Sequence, residues 1–154
     1  IFRPATGCWA IRNITRTYFG KPGDLPAPAD YKGYGLSNIA VYRPGSVLWA
    51  IQNFTRIYFG SSNDIPLPAD YNGDGTSDIA VFRSTNALWA IRNISRFYFG
   101  TKGDLPIPAD FNGDGTFDIG IYRPQSGLWA IRQSDGSTGR RAYWGGSRDL
   151  PVTR

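Results

Sequence analysis

The sequence "ADYNGDGTSDIAVFR", residues 69–83, places an acidic turn directly before an alternating apolar segment. Its first part holds three aspartates, one asparagine and two glycines within the nine positions 70–78. A near copy, "ADFNGDGTFDIGIYR", occupies 109–123, and a diverged copy, "ADYKGYGLSNIAVYR", occupies 29–43. The chain therefore contains a unit that is repeated and, in one copy, altered.

The repeat extends over the whole chain with a period of 40 residues. It is visible in two series of identical residues: Trp9, Trp49, Trp89 and Trp129, and Arg3, Arg43, Arg83 and Arg123. The counterpart of Tyr98 in the last unit is Tyr143, which comes five residues late, after an insertion around "SDGSTG". Such a period is typical of a domain built from stacked structural units. We predict one domain, 1–154, with units at about 1–29, 30–69, 70–109 and 110–154.

Each unit has the pattern of four short antiparallel strands. In the third unit, "DIAVFR" (78–83) and "LWAIRN" (88–93) alternate, with Trp89 and Ile91 on one face. An aromatic strand, "SRFYFG" (95–100), follows, and "DLPIPAD" (104–110) is a short strand limited by its prolines. Turn residues separate these segments, and no window has a helical period. The predicted fold class is all-β.

Both faces of these strands are largely apolar, so each predicted sheet needs a neighbour on either side. A ring of stacked four-stranded sheets, a β-propeller, meets this need. An open solenoid would require polar caps at its ends, which the sequence does not contain. We expect the first strand, Ile1–Arg3, and the last, Leu150–Val152, to pair and share one blade. Four blades closing alone, a dimer that completes a larger ring and a piece of a longer chain all remain compatible with this pattern.

The composition argues against several classes of protein. The chain has no histidine, and all twelve acidic residues are aspartate, so the usual general acids and bases are scarce and we expect no enzyme. The single cysteine, Cys8, takes the position of Leu48 and Leu88, which predicts a buried apolar role. The net charge is +5, but the arginines are spaced evenly along strands, so we expect no nucleic-acid partner. No segment is apolar enough for membrane insertion.

The two intact acidic loops have the oxygen ligands of a calcium site. Oxygens recur at alternate positions, with a glycine at the sixth, as in the first half of an EF-hand loop. The predicted ligands of two Ca²⁺ sites are Asp70, Asn72, Asp74, the carbonyl of Thr76 and Asp78, and Asp110, Asn112, Asp114, the carbonyl of Thr116 and Asp118. Turn formation alone explains the Asn-Gly and Asp-Gly pairs, but it leaves Asp70 and Asp78 unexplained.

The first loop lacks this ligand set, because Lys32, Tyr34 and Asn38 replace three of the oxygen donors. We expect no calcium there. Two alternatives remain for this loop: the lysine ammonium stands where the metal would be, or hydrogen bonds alone hold the turn.

Three further series follow the period. Two are the arginines Arg16, Arg56, Arg96 and Arg141 and the aspartates Asp24, Asp64, Asp104 and Asp149. Ion pairing between them is one interpretation, and a ring of guanidinium groups for anionic glycans is the other. The third series consists of the N-x-Ser/Thr triplets at Asn13, Asn53 and Asn93, which are either N-glycosylation sites or hairpin-turn residues.

The unit resembles the FG-GAP/VCBS repeat of integrin α-like and bacterial extracellular propellers. The Phe-Gly element occurs at 19–20, 59–60 and 99–100, with Trp144-Gly145 as a variant, and "PAD" occurs at 28–30, 68–70 and 108–110, before each aspartate loop. The resemblance covers almost the whole chain. It implies a calcium-stabilised propeller that is secreted or at the cell surface, and some similar proteins are fungal or bacterial lectins that hold sugars between blades.

Two functions are therefore expected. The first is a lectin-like module that binds glycans or glycoconjugates between blades, with aromatic rings and polar loop groups as contacts. The alternative is a structural or adhesion module that binds protein partners, in which calcium only rigidifies the loops. The sequence does not identify the ligand-binding residues.

Overall fold

The computed structural model describes residues 1–152, and these residues form fifteen short strands and one 3₁₀ turn, Pro44–Ser46. No helix in this range is long and apolar enough to cross a membrane. The all-β prediction is confirmed.

The strands form four antiparallel sheets, each an up-and-down meander in chain order. Sheet I contains β1 (Phe2–Arg3), β2 (Cys8–Ile11) and β3 (Thr15–Tyr18). Sheet II contains β4 (Leu25–Pro26), β5 (Ala40–Arg43), β6 (Leu48–Ile51) and β7 (Thr55–Tyr58). Sheet III contains β8 (Ile65–Pro66), β9 (Ala80–Arg83), β10 (Leu88–Ile91) and β11 (Ser95–Tyr98). Sheet IV contains β12 (Leu105–Pro106), β13 (Ile119–Arg123), β14 (Leu128–Arg132) and β15 (Arg140–Tyr143).

The same register recurs in every sheet. Tyr42 lies opposite Trp49 in sheet II, and Phe82 lies opposite Trp89 in sheet III. Their rings pack with centroids 5.3 Å and 5.1 Å apart, a distance at which tilted aromatic pairs attract. The indole N–H of Trp49 donates to the carbonyl of Phe59 at 3.1 Å, so this buried ring keeps a hydrogen-bond partner. The 40-residue period of the sequence therefore corresponds to one cross-strand aromatic pair that recurs in successive sheets.

Neighbouring sheets pack face to face through their alternating residues. Trp89 and Ile91 of sheet III pack against Ile119 and Ile121 of sheet IV. Ala90, whose side chain points to the opposite face, belongs to the core between sheets II and III. The prediction that Trp89 and Ile91 share one face is thus confirmed, and the position of Ala90 on the other face explains why both faces of these strands are apolar.

The predicted pairing of the first and last strands is not found. Leu150–Val152 forms no strand, and sheet I has only three strands, with no described residue hydrogen-bonded as a fourth. Leu150 is 79% exposed and Ile1 is 86% exposed, so the two segments do not cover each other. In every complete sheet, each strand pairs with a strand that is its neighbour along the chain. The segments Ile1–Arg3 and Leu150–Val152 lie at opposite ends of the chain instead.

Candidate functional site

The three acidic loops share one backbone conformation. Each follows the first strand of its sheet and is closed by an isolated β-bridge, as between Ala69 and Asp78. Two glycines in each loop have positive φ, for example 75° at Gly73 and 84° at Gly75. The diverged loop has 70° at Gly33 and 73° at Gly35, so the substitutions to Lys32, Tyr34 and Asn38 do not alter the turn.

The first aspartate of each loop binds the backbone amides of the turn. Asp70 Oδ1 accepts from the N–H of Gly73 at 2.7 Å, and Oδ2 accepts from that of Gly75 at 2.8 Å. Asp30 accepts from the equivalent amides of the diverged loop at 2.8 Å and 2.6 Å. Desolvation raises the pKa of Asp30, but the hydrogen bonds from the amides of residues 32–35 together outweigh it and hold the pKa below its usual range. Turn formation therefore does account for Asp70, which corrects the sequence interpretation.

The last residue of each loop has a second structural role. Asp78 Oδ2 accepts from the N–H of Tyr71 at 3.0 Å, and Asn38 Oδ1 accepts from that of Tyr31 at 3.0 Å. Asp118 is fully buried and accepts at both oxygens, from Phe111 N–H at 3.0 Å and from Ser134 N–H at 2.8 Å. Turn formation therefore explains Asp78 as well.

The middle of the second loop concentrates negative charge. Asp74 Oδ1 accepts from the N–H of Thr76 at 2.8 Å and from its hydroxyl at 2.5 Å. These bonds, with one from Asn72, lower the pKa of Asp74. Burial raises the pKa of Asp78, and repulsion from Asp74 and Asp70 adds to the effect. The negative charges of Asp74 and Asp70 therefore disfavour the charged form of Asp78, an effect that a bound cation would relieve.

The donor chemistry of the second and third loops fits Ca²⁺, because every predicted ligand presents an oxygen. Within residues 1–152, however, no three or more acidic, cysteine or histidine side chains are arranged as a metal-binding group. The first loop does not present this donor set, and the absence of calcium there stays a prediction. Its lysine does not take the place of a metal. Lys32 Nζ instead lies 5.5 Å from the ring centre of Phe54.

The acidic loops also touch one another in series. Ser77 N–H donates to the carbonyl of Asp30 at 2.8 Å, and Phe117 N–H donates to that of Asp70 at 2.7 Å. A Cβ atom built on Gly73 would lie 2.8 Å from Thr116 Oγ1. Each acidic loop is therefore in direct contact with the acidic loop of the next sheet.

Two equivalent grooves open between the sheets. Groove A, of about 300 Å³, lies between sheets II and III and is lined by Ile51, Thr55, Asn72, Ser77, Arg92 and Asn93. Groove B, of about 220 Å³, lies between sheets III and IV and is lined by Ile91, Ser95, Phe97, Phe117, Arg132 and Gln133. In groove B, the guanidinium carbon of Arg132 lies 4.4 Å from the ring centre of Phe97.

Arg92 and Arg132 are not among the predicted site residues, although their 40-residue spacing follows the repeat. Of the two interpretations of the series Arg16, Arg56, Arg96 and Arg141, ion pairing with the recurring aspartates is wrong. Asp24, Asp64 and Asp104 pair with Arg43, Arg83 and Arg123, at 2.8, 2.8 and 2.7 Å. Within residues 1–152, no ion pair involves the predicted series Arg16, Arg56, Arg96 and Arg141.

The remaining predicted residues have simple local explanations. Asn13, Asn53 and Asn93 lie in exposed hairpin turns with φ of 61°, 55° and 61°, which asparagine tolerates better than most residues. This supports the hairpin interpretation and leaves glycosylation a prediction. Cys8 is buried and unpaired, as expected for an apolar substitute.

No protein-family model, curated protein or solved structure matches this chain. The likeness to FG-GAP/VCBS repeats therefore depends on the quoted sequence elements alone.

Proposed function

We propose that this chain is an extracellular carbohydrate-binding module without catalytic activity, built as blades of a β-propeller and stabilised by calcium in its second and third acidic loops. The observation that carries the proposal is the recurrence of one groove, A and B, between successive sheets. In both, the lining combines a guanidinium, a hydroxyl and a carboxamide with apolar side chains.

This combination suits a sugar. Sugar hydroxyls require several fixed donors and acceptors, whereas the C–H face of the ring packs on apolar surface. In groove B, Arg132 supplies donors while its stacking on Phe97 restricts its motion. In groove A, Arg92 takes the equivalent position, and Ile57 replaces the aromatic ring. Two such grooves on one chain would add avidity for a repeated glycan.

The second acidic loop contributes directly to groove A. Asn72, Ser77 and Asp78 belong to the loop and also line the groove. When bound, Ca²⁺ would supply a compact positive charge to the oxygens of Asp70, Asp74 and Asp78. By holding these oxygens together, the loop would present its groove wall in one conformation.

The propeller proposal is supported by the equivalence of the sheet contacts. The cores between sheets I and II, II and III, and III and IV each place a tryptophan of one sheet against β-branched residues of the next. Repeating one contact with a constant rotation produces either a ring or a superhelix, and apolar faces at both ends favour the ring.

A glycan array, probed with calcium and again with EDTA, tests the sugar proposal. We expect binding to a defined set of glycans, weakened by EDTA and lost in the double variant Arg92→Ala with Arg132→Ala. Arg96→Ala and Arg141→Ala, at exposed positions that line neither groove, serve together as the matched control and should leave binding unchanged. An array that stays silent under both conditions contradicts the proposal.

A protein-binding adhesion module is the second candidate, and one observation favours it. Four tyrosines recur on the outer edge strands with exposed fractions between 68% and 74%: Tyr18, Tyr58, Tyr98 and Tyr143. Exposed tyrosines are enriched at the centres of protein interfaces. A silent glycan array, together with a protein partner lost in Tyr58→Ala and Tyr98→Ala, would establish this function instead.

A further inference from the structure

Successive sheets are connected at three places, where the turn that leaves one sheet leads into the first strand of the next. We call each such connection, with the apolar contact beside it, a joint, and all three joints contain the same polar contact. A tight turn before the first strand of each sheet places a buried aspartate, which accepts from a backbone N–H three residues earlier, as Asp24 does from Lys21 at 2.8 Å. An arginine of the adjacent strand then holds the carboxylate in two hydrogen bonds, as Arg43 does at 2.8 and 2.9 Å. Asp64 and Asp104 repeat the arrangement.

A fourth copy of this turn is already formed at the end of sheet IV. Gly146 N–H donates to Asp149 Oδ2 at 2.8 Å, and Asp149 N–H donates to the carbonyl of Gly146 at 3.1 Å. The hydroxyl of Tyr122 donates to Gly146 O at 2.8 Å, just as Tyr42 donates to Ser61 O at 2.6 Å. Asp149, however, is exposed and has no arginine partner within residues 1–152.

The matching arginine lies at the opposite end of the described chain. Arg3 lies opposite Cys8 in sheet I, as Arg43 lies opposite Leu48 in sheet II. Arg3 is exposed, and no ion pair within residues 1–152 involves it. Sheet I also lacks the short first strand that β4 provides to sheet II. Sheet I therefore presents an open edge with an unpaired cation.

The apolar surfaces beside these two groups are also complementary. On sheet IV, a cavity of about 590 Å³ is lined by Trp129, Trp144 and Leu150, and Trp144 is 77% exposed. On sheet I, Ile1 is 86% exposed, although its equivalents Val41, Val81 and Ile121 are at most 2% exposed because each packs on the preceding sheet. The surface on sheet IV is one half of such a joint, and the surface on sheet I is the other half. The chain forms the complete joint three times, between sheets I and II, II and III, and III and IV.

We propose that residues 149–152 of one copy of this chain bind the open edge of sheet I of a second copy. By equivalence with β4 and β5, Leu150 pairs with Phe2 and Pro151 with Ile1, and Asp149 receives the guanidinium of Arg3. The occupant is a second copy because both halves are exposed within residues 1–152, carry opposite charges and repeat the two sides of the internal joints. Two copies joined at both ends form a closed ring of eight sheets. The inference does not depend on sugar binding.

Native mass spectrometry and light scattering over a concentration series test this inference with the full chain. We expect a dimer for the natural sequence, and association at least about thirtyfold weaker for Arg3→Asp or Asp149→Arg, since each places two like charges opposite one another at the joint. Arg16→Asp, at an exposed position outside the joint, is the control and should remain dimeric.

Mixing the two joint variants distinguishes a second copy from closure within one chain. In the mixed dimer, one joint has the natural charge pair and the other has the exchanged pair, so mixing should restore the dimer. Leu150→Asp, which removes the apolar part of the joint, should not be rescued by either partner. Circular dichroism of each variant checks that the sheets are retained. A natural chain that stays monomeric at every concentration, or variants that mixing does not rescue, overturn the proposal.

Discussion

The guanidinium of Arg83 holds the carboxylate of Asp64 through two hydrogen bonds, from Nε to Oδ1 at 2.8 Å and from Nη2 to Oδ2 at 3.0 Å. Asp64 is only 3% exposed, and its Oδ2 also accepts from the N–H of Ser61 at 2.8 Å. The pairing raises the pKa of Arg83, chiefly through the hydrogen bond to Asp64. A buried carboxylate thus has its charge compensated by one side chain and one amide.

Replacing Arg83 with glutamine should destabilise the fold by about 3 kcal/mol, because it leaves the buried Asp64 without its countercharge. Arg96→Gln is the matched control, since Arg96 is exposed and belongs to no ion pair within residues 1–152, and its effect should stay below about 0.5 kcal/mol. Urea denaturation of both variants measures the difference. Equal free energies of unfolding would show that the pair contributes nothing.

This ion pair also shows how far the sequence determines the structure. The 40-residue period located the aspartates and two arginine series, and strand alternation placed Trp89 on the correct face. The period alone cannot tell Arg83 from Arg96, because both series have the same spacing. The choice depends on register, which brings Arg83 opposite Leu88, beside the turn that holds Asp64.

The acidic loops show a second limit of prediction from the sequence. The spacing of the oxygen-bearing side chains predicted a candidate calcium loop, and the glycines predicted that this loop contains a tight turn. The hydrogen bonds of Asp70 depend on where the turn's amides point, which is set by the positive φ of Gly73 and Gly75. The first aspartate of a loop has two possible roles, to hold the turn and to bind a metal. The diverged loop separates them, because Asp30 makes the same hydrogen bonds in a loop that lacks the metal ligand set.

Gly73→Ala should destabilise the fold more than Gly113→Ala. Both glycines have positive φ, 75° and 82°, so both variants carry a similar backbone strain of about 1 kcal/mol. Only the Cβ at position 73 meets a neighbouring loop, 2.8 Å from Thr116 Oγ1, whereas position 113 has open space. We expect an additional loss of about 1 kcal/mol from this overpacking, measured by urea denaturation.

The Thr116→Ala background tests the cause of that difference. It removes the hydroxyl that the new methyl group would contact, so Gly73→Ala and Gly113→Ala should then cost about the same. A difference that persists in this background would mean that the loops are not in the contact described.

Calcium should raise the melting temperature of the natural chain relative to EDTA. Binding to the native state adds about 2.7 kcal/mol for each occupied site when calcium is at a hundredfold excess over its dissociation constant. For a domain of this size, each kcal/mol corresponds to about 2–4 °C. Differential scanning calorimetry in the two buffers measures the shift.

The diverged loop provides the matched control for calcium binding. Asp70→Asn and Asp30→Asn weaken equivalent hydrogen bonds to turn amides, at Gly73 and Gly33 respectively. Both should lower the melting temperature in EDTA, but only Asp70→Asn should reduce the calcium-dependent shift. An equal reduction in both variants, or no shift in the natural chain, would count against the metal assignment.

Tyr42 makes the fold sensitive to alkaline pH. Burial, with a smaller contribution from the Asp64 charge, raises the pKa of Tyr42 to about 12, against a small opposing effect of Arg83. In the unfolded chain a tyrosine ionises near pH 10. Between these values the unfolded state has lost the proton that the native state retains, so the free energy of unfolding must fall as the pH rises.

Tyr42→Phe should therefore flatten the loss of stability between about pH 10 and pH 12, by at most about 1.4 kcal/mol per pH unit for the one proton removed. At neutral pH the variant should be less stable by about 1 kcal/mol, because the hydroxyl bond to Ser61 O at 2.6 Å is lost. Tyr31 and Tyr71, whose pKa burial also raises, leave a residual slope. Tyr58→Phe, at a ring 71% exposed, is the control for urea denaturation across this range. Identical slopes in the natural chain and Tyr42→Phe would contradict the assignment.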